Sequence, residues 1–197
     1  MIGGIAYPVS PAPLFPRPSI TRPGRQRKPK GELVPLVEPS GLVYGQATRD
    51  WCHSGSKALH PVVHLHIIDR FGAIYLQKRS VIKDLFPGCW DTAVGGHVGY
   101  GESVEETLFR EAAEELGLHA FTPNQLDTYV WESDRERELV FVYAMVGHPE
   151  IHPDHGEVAT GRWWKCPDLE TSMGRGTLTP NFEYEFARIR ERLFAML

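Results

Sequence analysis

Apolar and polar residues alternate along several short runs of the chain and take up a helical period in two longer ones. VVHLHIID, from Val62 to Asp69, alternates as a strand with two unlike faces does, and AIYLQKR returns after the turn Asp69-Arg70-Phe71-Gly72. LVPLV and LVYGQAT flank Pro39-Ser40-Gly41 as two short strands. Trp90 to Val98 reads as one further strand after a loop from Asp84 to Gly88. LDTYVWES and ELVFVYAMV form a hairpin through Asp134-Arg135. A histidine-rich loop, His148 to His155, leads to a last strand at Val158 to Lys165. Of the helices, one runs from Val104 to Leu116 with Val104, Leu108 and Ala112 on its inner face. Ser103 with Glu106 forms a capping box at its start, and Gly117 supplies a left-handed stop. The other opens at Thr179-Pro180 and buries Phe182, Phe186, Ile189 and Leu193. Strands on either side of a central helix, with a closing terminal helix, predict an α/β layered domain. No internal repeat is visible.

At 197 residues the chain has room for one domain and appendages. The charge is uneven. Residues 1–30 carry six basic side chains, no acids and many prolines, which predicts a disordered basic tail ahead of a domain at 31–197. Too broken by proline for a signal peptide or membrane helix, the tail is followed by no apolar run of spanning length. The remaining residues hold fifteen basic against twenty-five acidic groups, and so acidic a body argues against nucleic acid as a partner. Cys52, Cys89 and Cys166 are odd in number and share no two-residue spacing, as expected of reduced cytoplasmic thiols. Oligomeric state is not legible; a homodimer stays open.

The chemistry concentrates in GHVGYGESVEETLFREAAEELGL, Gly96 to Leu118, where six glutamates accompany a single arginine, Arg110. Glu111 and Glu115 are four apart and share a helical face with Glu114 beside them. Like charges at that spacing cost about 0.2–0.5 kcal/mol per pair, so a cation should offset them, and oxygen ligands suit Mg2+ or Mn2+. Gly96, five residues, Glu102, seven residues, Arg110-Glu111, then Ala112-Ala113-Glu114-Glu115-Leu116-Gly117-Leu118 resembles the Nudix box at every fixed position. Ala112 stands where that family usually carries a larger aliphatic residue. The resemblance implies the Nudix fold, an α/β/α sandwich of a mixed sheet around the box helix. It also implies metal-dependent hydrolysis of a diphosphate bond in a small substrate, typically a nucleoside diphosphate linked to another moiety. Glu111, Glu114, Glu115 and the Gly96 carbonyl would then hold the metal, Arg110 would orient the carboxylates, and Glu102 would fix the loop to the helix. Gly95, Gly96, Gly99 and Gly101 let the loop bend against the helix. For the general base Glu111, Glu114, Glu138 and Glu157 stay open.

A finer resemblance spans roughly Glu32 to Val146. CHSGSKALH, LQKRSVIKDLFPGCWDTAVGGHV and RERELVFVY are similar to the isopentenyl-diphosphate isomerase branch of the same superfamily. It implies a second metal site at His53, His60, His97, Glu136 and Glu138, and contacts to the substrate diphosphate from Arg79 and Lys83. Spacing alone says little here, because seven residues place two side chains together on a helix and on opposite faces of a strand. The isomerases need a catalytic cysteine two residues before the third histidine, where this chain has Gly95. Isomerisation requires an acid and a base on opposite faces of a double bond, and glycine supplies neither. The expectation is therefore a hydrolase on the isomerase scaffold. An isomerase with a relocated cysteine and a binding module that senses a nucleotide without cleaving it are the alternatives.

Overall fold

The computed structural model describes residues 31–82, 85–154 and 158–197; the expected tail at 1–30, Lys83 and Glu157 lie outside them. The described residues open with a two-stranded antiparallel ribbon, β1 (Leu33–Val37) and β2 (Val43–Thr48). Thr48 caps the short α1 (Arg49–Trp51), accepting the Trp51 N–H, and the backbone widens into a π-type turn at Cys52–Ser56. β3 (Leu59–Ile68) is the spine of the larger sheet, joined through the Asp69 turn to β4 (Ile74–Arg79). Asp69 Oδ1 stiffens that turn by accepting the Phe71 and Ala73 N–H groups.

The single strand expected at Trp90 to Val98 is two. β5 (Trp90–Asp91) pairs with β4, and β6 (Val94–His97) pairs with β3. The break has a cause in the sheet: β4 touches β3 only at Ile67 and Ile68, then diverges. The chain follows β4 first and then crosses to fill the edge of β3 that β4 vacates. Buried Thr92 makes the crossing, its hydroxyl donating to the Leu65 carbonyl at 3.0 Å.

α2 (Val104–Leu116) carries the predicted caps. Ser103 Oγ accepts the Glu106 N–H at 3.1 Å, Glu106 Oε2 accepts the Ser103 N–H at 2.9 Å, and Gly117 closes the helix at φ 65°. The hairpin of β7 (Asn124–Glu132) and β8 (Arg137–Val146) follows, then β9 (Val158–Trp164) against β4. The short α3 (Cys166–Ser172) has no counterpart in the sequence reading; one buried residue, Leu169, gives no period to detect. α4 (Pro180–Phe194) closes the chain, capped by Thr179, whose hydroxyl accepts the Phe182 N–H.

The main sheet runs β5-β4-β3-β8-β7, with β6 on β3 and β9 on β4; the β3–β8 pair is parallel and the rest antiparallel, so the sheet is mixed. Strand alternation divides the core. Val63, Leu65 and Ile67 meet Val104, Leu108, Ala112 and Leu116 of α2 on one face. Ile68, Ile74, Leu76 and Ala144 meet Phe182, Phe186 and Leu193 of α4 on the other, where Val62, Val140 and Val142 pack on Ile189. The result is the α/β/α sandwich that the sequence predicts. His60, Val62, His64 and His66 share the α4-side face of β3. Trp164 is buried on the α4 side, while Trp163 is half-buried against Tyr75 and stacked on His148. Among the described residues no helix is long and apolar enough to cross a membrane.

Two substitutions in α2 separate packing from capping. Leu108→Ala empties a fully buried position against β3 and should cost about 2–5 kcal/mol. Ser103→Ala should cost only about 1 kcal/mol. Urea denaturation midpoints at constant slope measure both.

Candidate active site

β6 is four residues long and works on both its faces. Gly96 turns toward α2, and a Cβ built there would lie 2.2 Å from Glu111 Cδ, so only glycine lets that carboxylate lie against the strand. Gly95 and His97 turn the other way, toward α4, as the register partners of His64 and Val62. Glu115 is buried and reaches past the strand edge. Its Oε2 accepts the Gly95 N–H and the Gln77 amide, each at 3.2 Å.

Arg110 holds the carboxylate ridge in register. Its Nε and Nη2 donate to the two oxygens of Glu102 at 2.9 and 2.8 Å, while Nη1 donates to Glu111 at 2.7 Å and to Glu114 at 3.3 Å. Nη2 also donates to the His97 carbonyl at 3.3 Å, which ties the helix to β6. Burial opposes ionisation of Glu102, but the hydrogen bond and charge of Arg110 override it and hold the carboxyl below its ordinary range. Glu102 also accepts from the Thr107 hydroxyl and the Gly99 N–H, anchoring the loop to the helix. The structure thus brings Glu102, Arg110, Glu111 and Glu114 into one network, with Glu115 one turn on; Glu114 is the most exposed of the three ridge carboxylates.

On the α4 side, His53, His60, His97 and Glu138 converge, with one potential ligand atom from each lying within 4.8 Å of all the others. His53 comes from the π-type turn, His60 from the start of β3, His97 from the end of β6, and Glu138 from β8 beside His60. His53 Nε2 and His97 Nε2 are 2.8 Å apart, and His60 Nε2 is buried with no hydrogen-bond partner. An orphaned buried nitrogen among three histidines and a carboxylate fits a divalent cation, which takes neutral imidazole. Burial keeps two of the rings neutral: His60 is pushed down to about 4, and His97 is likewise lowered. Burial, aided by the charge of Glu136, pushes Glu138 up to about 7. Glu136 stands behind His53 rather than among the four. Its Oε2 is 2.7 Å from His53 Nδ1, so it orients the ring that faces the cluster.

A cleft of roughly 300 Å³ is walled by His53, His97 and Glu138 of the histidine cluster and by Glu115 and Gly96 from the ridge, with His64, Gln77 and Gly95; Glu111 and Glu114 lie outside its walls. Arg79 reaches it too, but is pinned by its own bonds, Nη1 to Asp91 at 3.0 Å and Nε to the Leu85 carbonyl at 3.0 Å. Ile82, Leu85 and Phe86 add an apolar border.

One group went unnoticed in the sequence. Glu185 is fully buried on α4, within hydrogen-bond reach of His64 Nδ1 (2.8 Å), His66 Nε2 (2.6 Å) and the Tyr129 hydroxyl (2.8 Å). A signal existed: residue 185 falls between Phe182 and Ile189 on the helix's inward face, where an acid is out of place without partners. Burial disfavours charge on both members of the His64–Glu185 pair, yet each is overridden by the other. Glu185 stays ionised well below the carboxylate range, and His64 rises to about 9.

Two measurements bear on these groups. Calorimetric titration with Mn2+ should resolve a class of sites that His60→Ala removes and EDTA reverses. At a hundred times its Kd the ion should stabilise the wild type by about 2.7 kcal/mol. An isotherm unchanged in His60→Ala would show that the cluster holds no ion. For the buried pair, His64 has its folded pKa raised above an unfolded value of about 6.5. The stability it contributes is complete below that pH and is lost as pH rises through about 9. Thermal midpoints should therefore fall between pH 6.5 and 9, and His64→Gln should flatten that slope.

The geometry has relatives. The NUDIX domain model matches residues 58–182. The isopentenyl-diphosphate Delta-isomerase of Mycolicibacterium vanbaalenii is 30% identical over 138 residues, covering 67% of this chain and 76% of its own. An uncharacterised Nudix hydrolase of Streptomyces coelicolor is 29% identical over 163 residues, covering 81% and 88%. The crystal structure of DR0079 from Deinococcus radiodurans superposes with a TM-score of 0.71 at 25% identity, covering 80% of this chain and 99% of that one. With its domain model matched over more than half the chain and its box glutamates gathered around Arg110, this chain belongs to the Nudix family.

Proposed function

We propose that the protein is a divalent-metal-dependent hydrolase that cleaves the diphosphate bond of a small substrate, such as a nucleoside diphosphate linked to another moiety. The observation that carries this reading is the complete ridge: Glu111, Glu114 and Glu115 beside β6, with Glu111 in the space that Gly96 leaves and Arg110 bonded to Glu102, Glu111 and Glu114. Adjacent phosphates repel a nucleophile, so cleavage needs negative charge to be neutralised and a water to be oriented. Mg2+ or Mn2+ held by the ridge and the Gly96 carbonyl would supply that neutralisation and polarise the phosphate oxygens. Arg110 keeps Glu111 and Glu114 aligned before the substrate arrives, so no reorganisation is needed during reaction. Glu115, hydrogen-bonded to the Gly95 N–H, fixes the loop where the phosphates would lie. Glu114, held only at 3.3 Å, keeps the greatest freedom to meet a cation or a water. The histidine cluster would hold a second cation, with His53, His97 and Glu138 on the cleft wall.

That cluster, together with relatives named isopentenyl-diphosphate Delta-isomerases, favours a second reading as an isomerase. Gly95 weighs against it. It lies where the isomerases carry their cysteine, and none of Cys52, Cys89 and Cys166 is among the cleft's walls: Cys89 bonds to the Gly176 carbonyl and Cys166 to Glu170.

Product analysis with Mg2+ or Mn2+, comparing a panel of nucleoside-diphosphate compounds with isopentenyl diphosphate, decides between the two. Hydrolysis of at least one nucleotide and no dimethylallyl diphosphate is expected. Glu114→Gln should slow that hydrolysis by roughly two to three orders of magnitude, the scale set by losing one preorganised charge-stabilising group. Gly95→Cys should gain at most trace isomerase activity, because a thiol alone restores neither the placement nor the lowered pKa that catalysis needs. Dimethylallyl product with no nucleotide hydrolysed would overturn the hydrolase reading.

A further inference from the structure

Among the polar side chains of the cleft wall that belong to neither cluster, His64 stands directly behind Gly95. It alternates with Val63 and Leu65 on β3 and so turns away from α2, onto the face where its register partner Gly95 opens to the cleft. Its ring is held at one end only. Nδ1 lies 2.8 Å from Glu185 Oε2, while Nε2 makes no hydrogen bond to any described residue. A Cβ on Gly95 would lie 3.5 Å from the ring's Cδ2 and 3.7 Å from Nε2. The missing side chain therefore leaves its space directly in front of the open edge of the imidazole.

The other side of the ring is built to stay still. Glu185 is fully buried and, besides His64, meets His66 Nε2 and the Tyr129 hydroxyl, which is itself 2.8 Å from Asn181 Oδ1. A carboxylate with three donors has little freedom left, and it aligns the ring as a buried acid aligns a histidine in other carboxylate–histidine pairs. His66, on the same carboxylate, is fully buried and leaves its Nδ1 without a partner inside the core, so an unpaired nitrogen alone does not mark a contact; what distinguishes His64 is its place on the cleft wall. Here the inner nitrogen is satisfied and the outer one is left to the cleft.

We propose that His64 is a substrate-contacting residue whose Nε2–H donates to an anionic oxygen of the diphosphate substrate, in the space that Gly95 leaves, with Glu185 as its positioning residue. This rests on the hydrolase reading only in taking the ligand to be a diphosphate. The glycine then has two consequences at once: it removes the isomerase's thiol and admits a phosphate oxygen to a histidine behind it. Asp91 and Glu138 also face His64, and with Glu185 they favour its protonated form, in which both ring nitrogens carry hydrogen.

Two readouts test it. In steady-state kinetics on the diphosphate compound that the wild type cleaves fastest, His64→Ala should raise KM about 10- to 100-fold, the usual worth of a hydrogen bond to a charged group. kcat should change less than about threefold. His64→Gln, which can still donate, should recover part of the KM, and Gly95→Val should raise KM with the His64–Glu185 pair intact. The second readout needs no turnover. In long-range 1H–15N spectra of 15N-histidine protein, with His64 assigned from His64→Gln, the Nε2 resonance should shift on adding Mg2+ with α,β-methylene-ADP, imidodiphosphate or isopentenyl diphosphate. A folded His64→Ala protein with unchanged KM, or no Nε2 response to any of the three probes, would overturn the proposal. A wild type that cleaves no diphosphate but shows the Nε2 shift would overturn the hydrolase reading and support this one.

Discussion

The close approach of α2 to β6 is the constraint on which the rest of the site depends. A helix bearing Glu111, Glu114 and Glu115 on one ridge repels itself, and that ridge lies against a strand with a glycine where any Cβ would collide with Glu111. Arg110 resolves the repulsion from within the same helix, by bonding three carboxylates and the His97 carbonyl. The apolar side of the helix provides the anchoring force, with Leu108, Ala112 and Leu116 sealed against Val63, Leu65 and Ile67. Ala112 suits this arrangement: a small side chain at the contact lets the helix sit low on the sheet, which brings the ridge within reach of β6.

β6 then divides the chemistry. Its α2 side receives the box carboxylates, its α4 side carries Gly95 and His97, and Glu115 joins the two by bonding to the backbone between them. A chain of four strand residues thus lets two sets of acidic and imidazole ligands lie on its two faces without sharing side chains. Strand alternation is enough to explain it.

Much of this was legible from residues close in sequence. The capping box, the left-handed Gly117 and the four-residue apolar period fixed α2 to the residue, and the turn chemistry of Asp69 to Gly72 fixed the β3–β4 hairpin. The ridge was legible because helical spacing alone puts Glu111 and Glu115 on one face. What stayed hidden depends on contacts remote in sequence. The split of Trp90 to Val98 into two strands follows from where β4 parts from β3, which no local pattern records. The convergence of His53, His60, His97 and Glu138 came into view through resemblance rather than spacing, since four different elements supply it. Glu185 sits within an apolar stripe, and the partners that explain it there, His64, His66 and Tyr129, lie more than fifty residues away.

The parallel pairing of β3 with β8 has a further consequence, for the order in which the molecule can assemble. Leu59 to Ile68 is joined along its whole length to Arg137 to Val146, strands about eighty residues apart in the chain. Closing so long a loop costs entropy before any pairing repays it, and such topologies fold slowly. The box helix and its two caps are local and can form early. The histidine cluster needs β8 for Glu138, and the Glu185 network needs α4, the last helix of all. A ribosome emitting this chain would therefore release the capped acidic segment well before the pocket it serves, and a helix of this length becomes stable only when its apolar face meets the sheet.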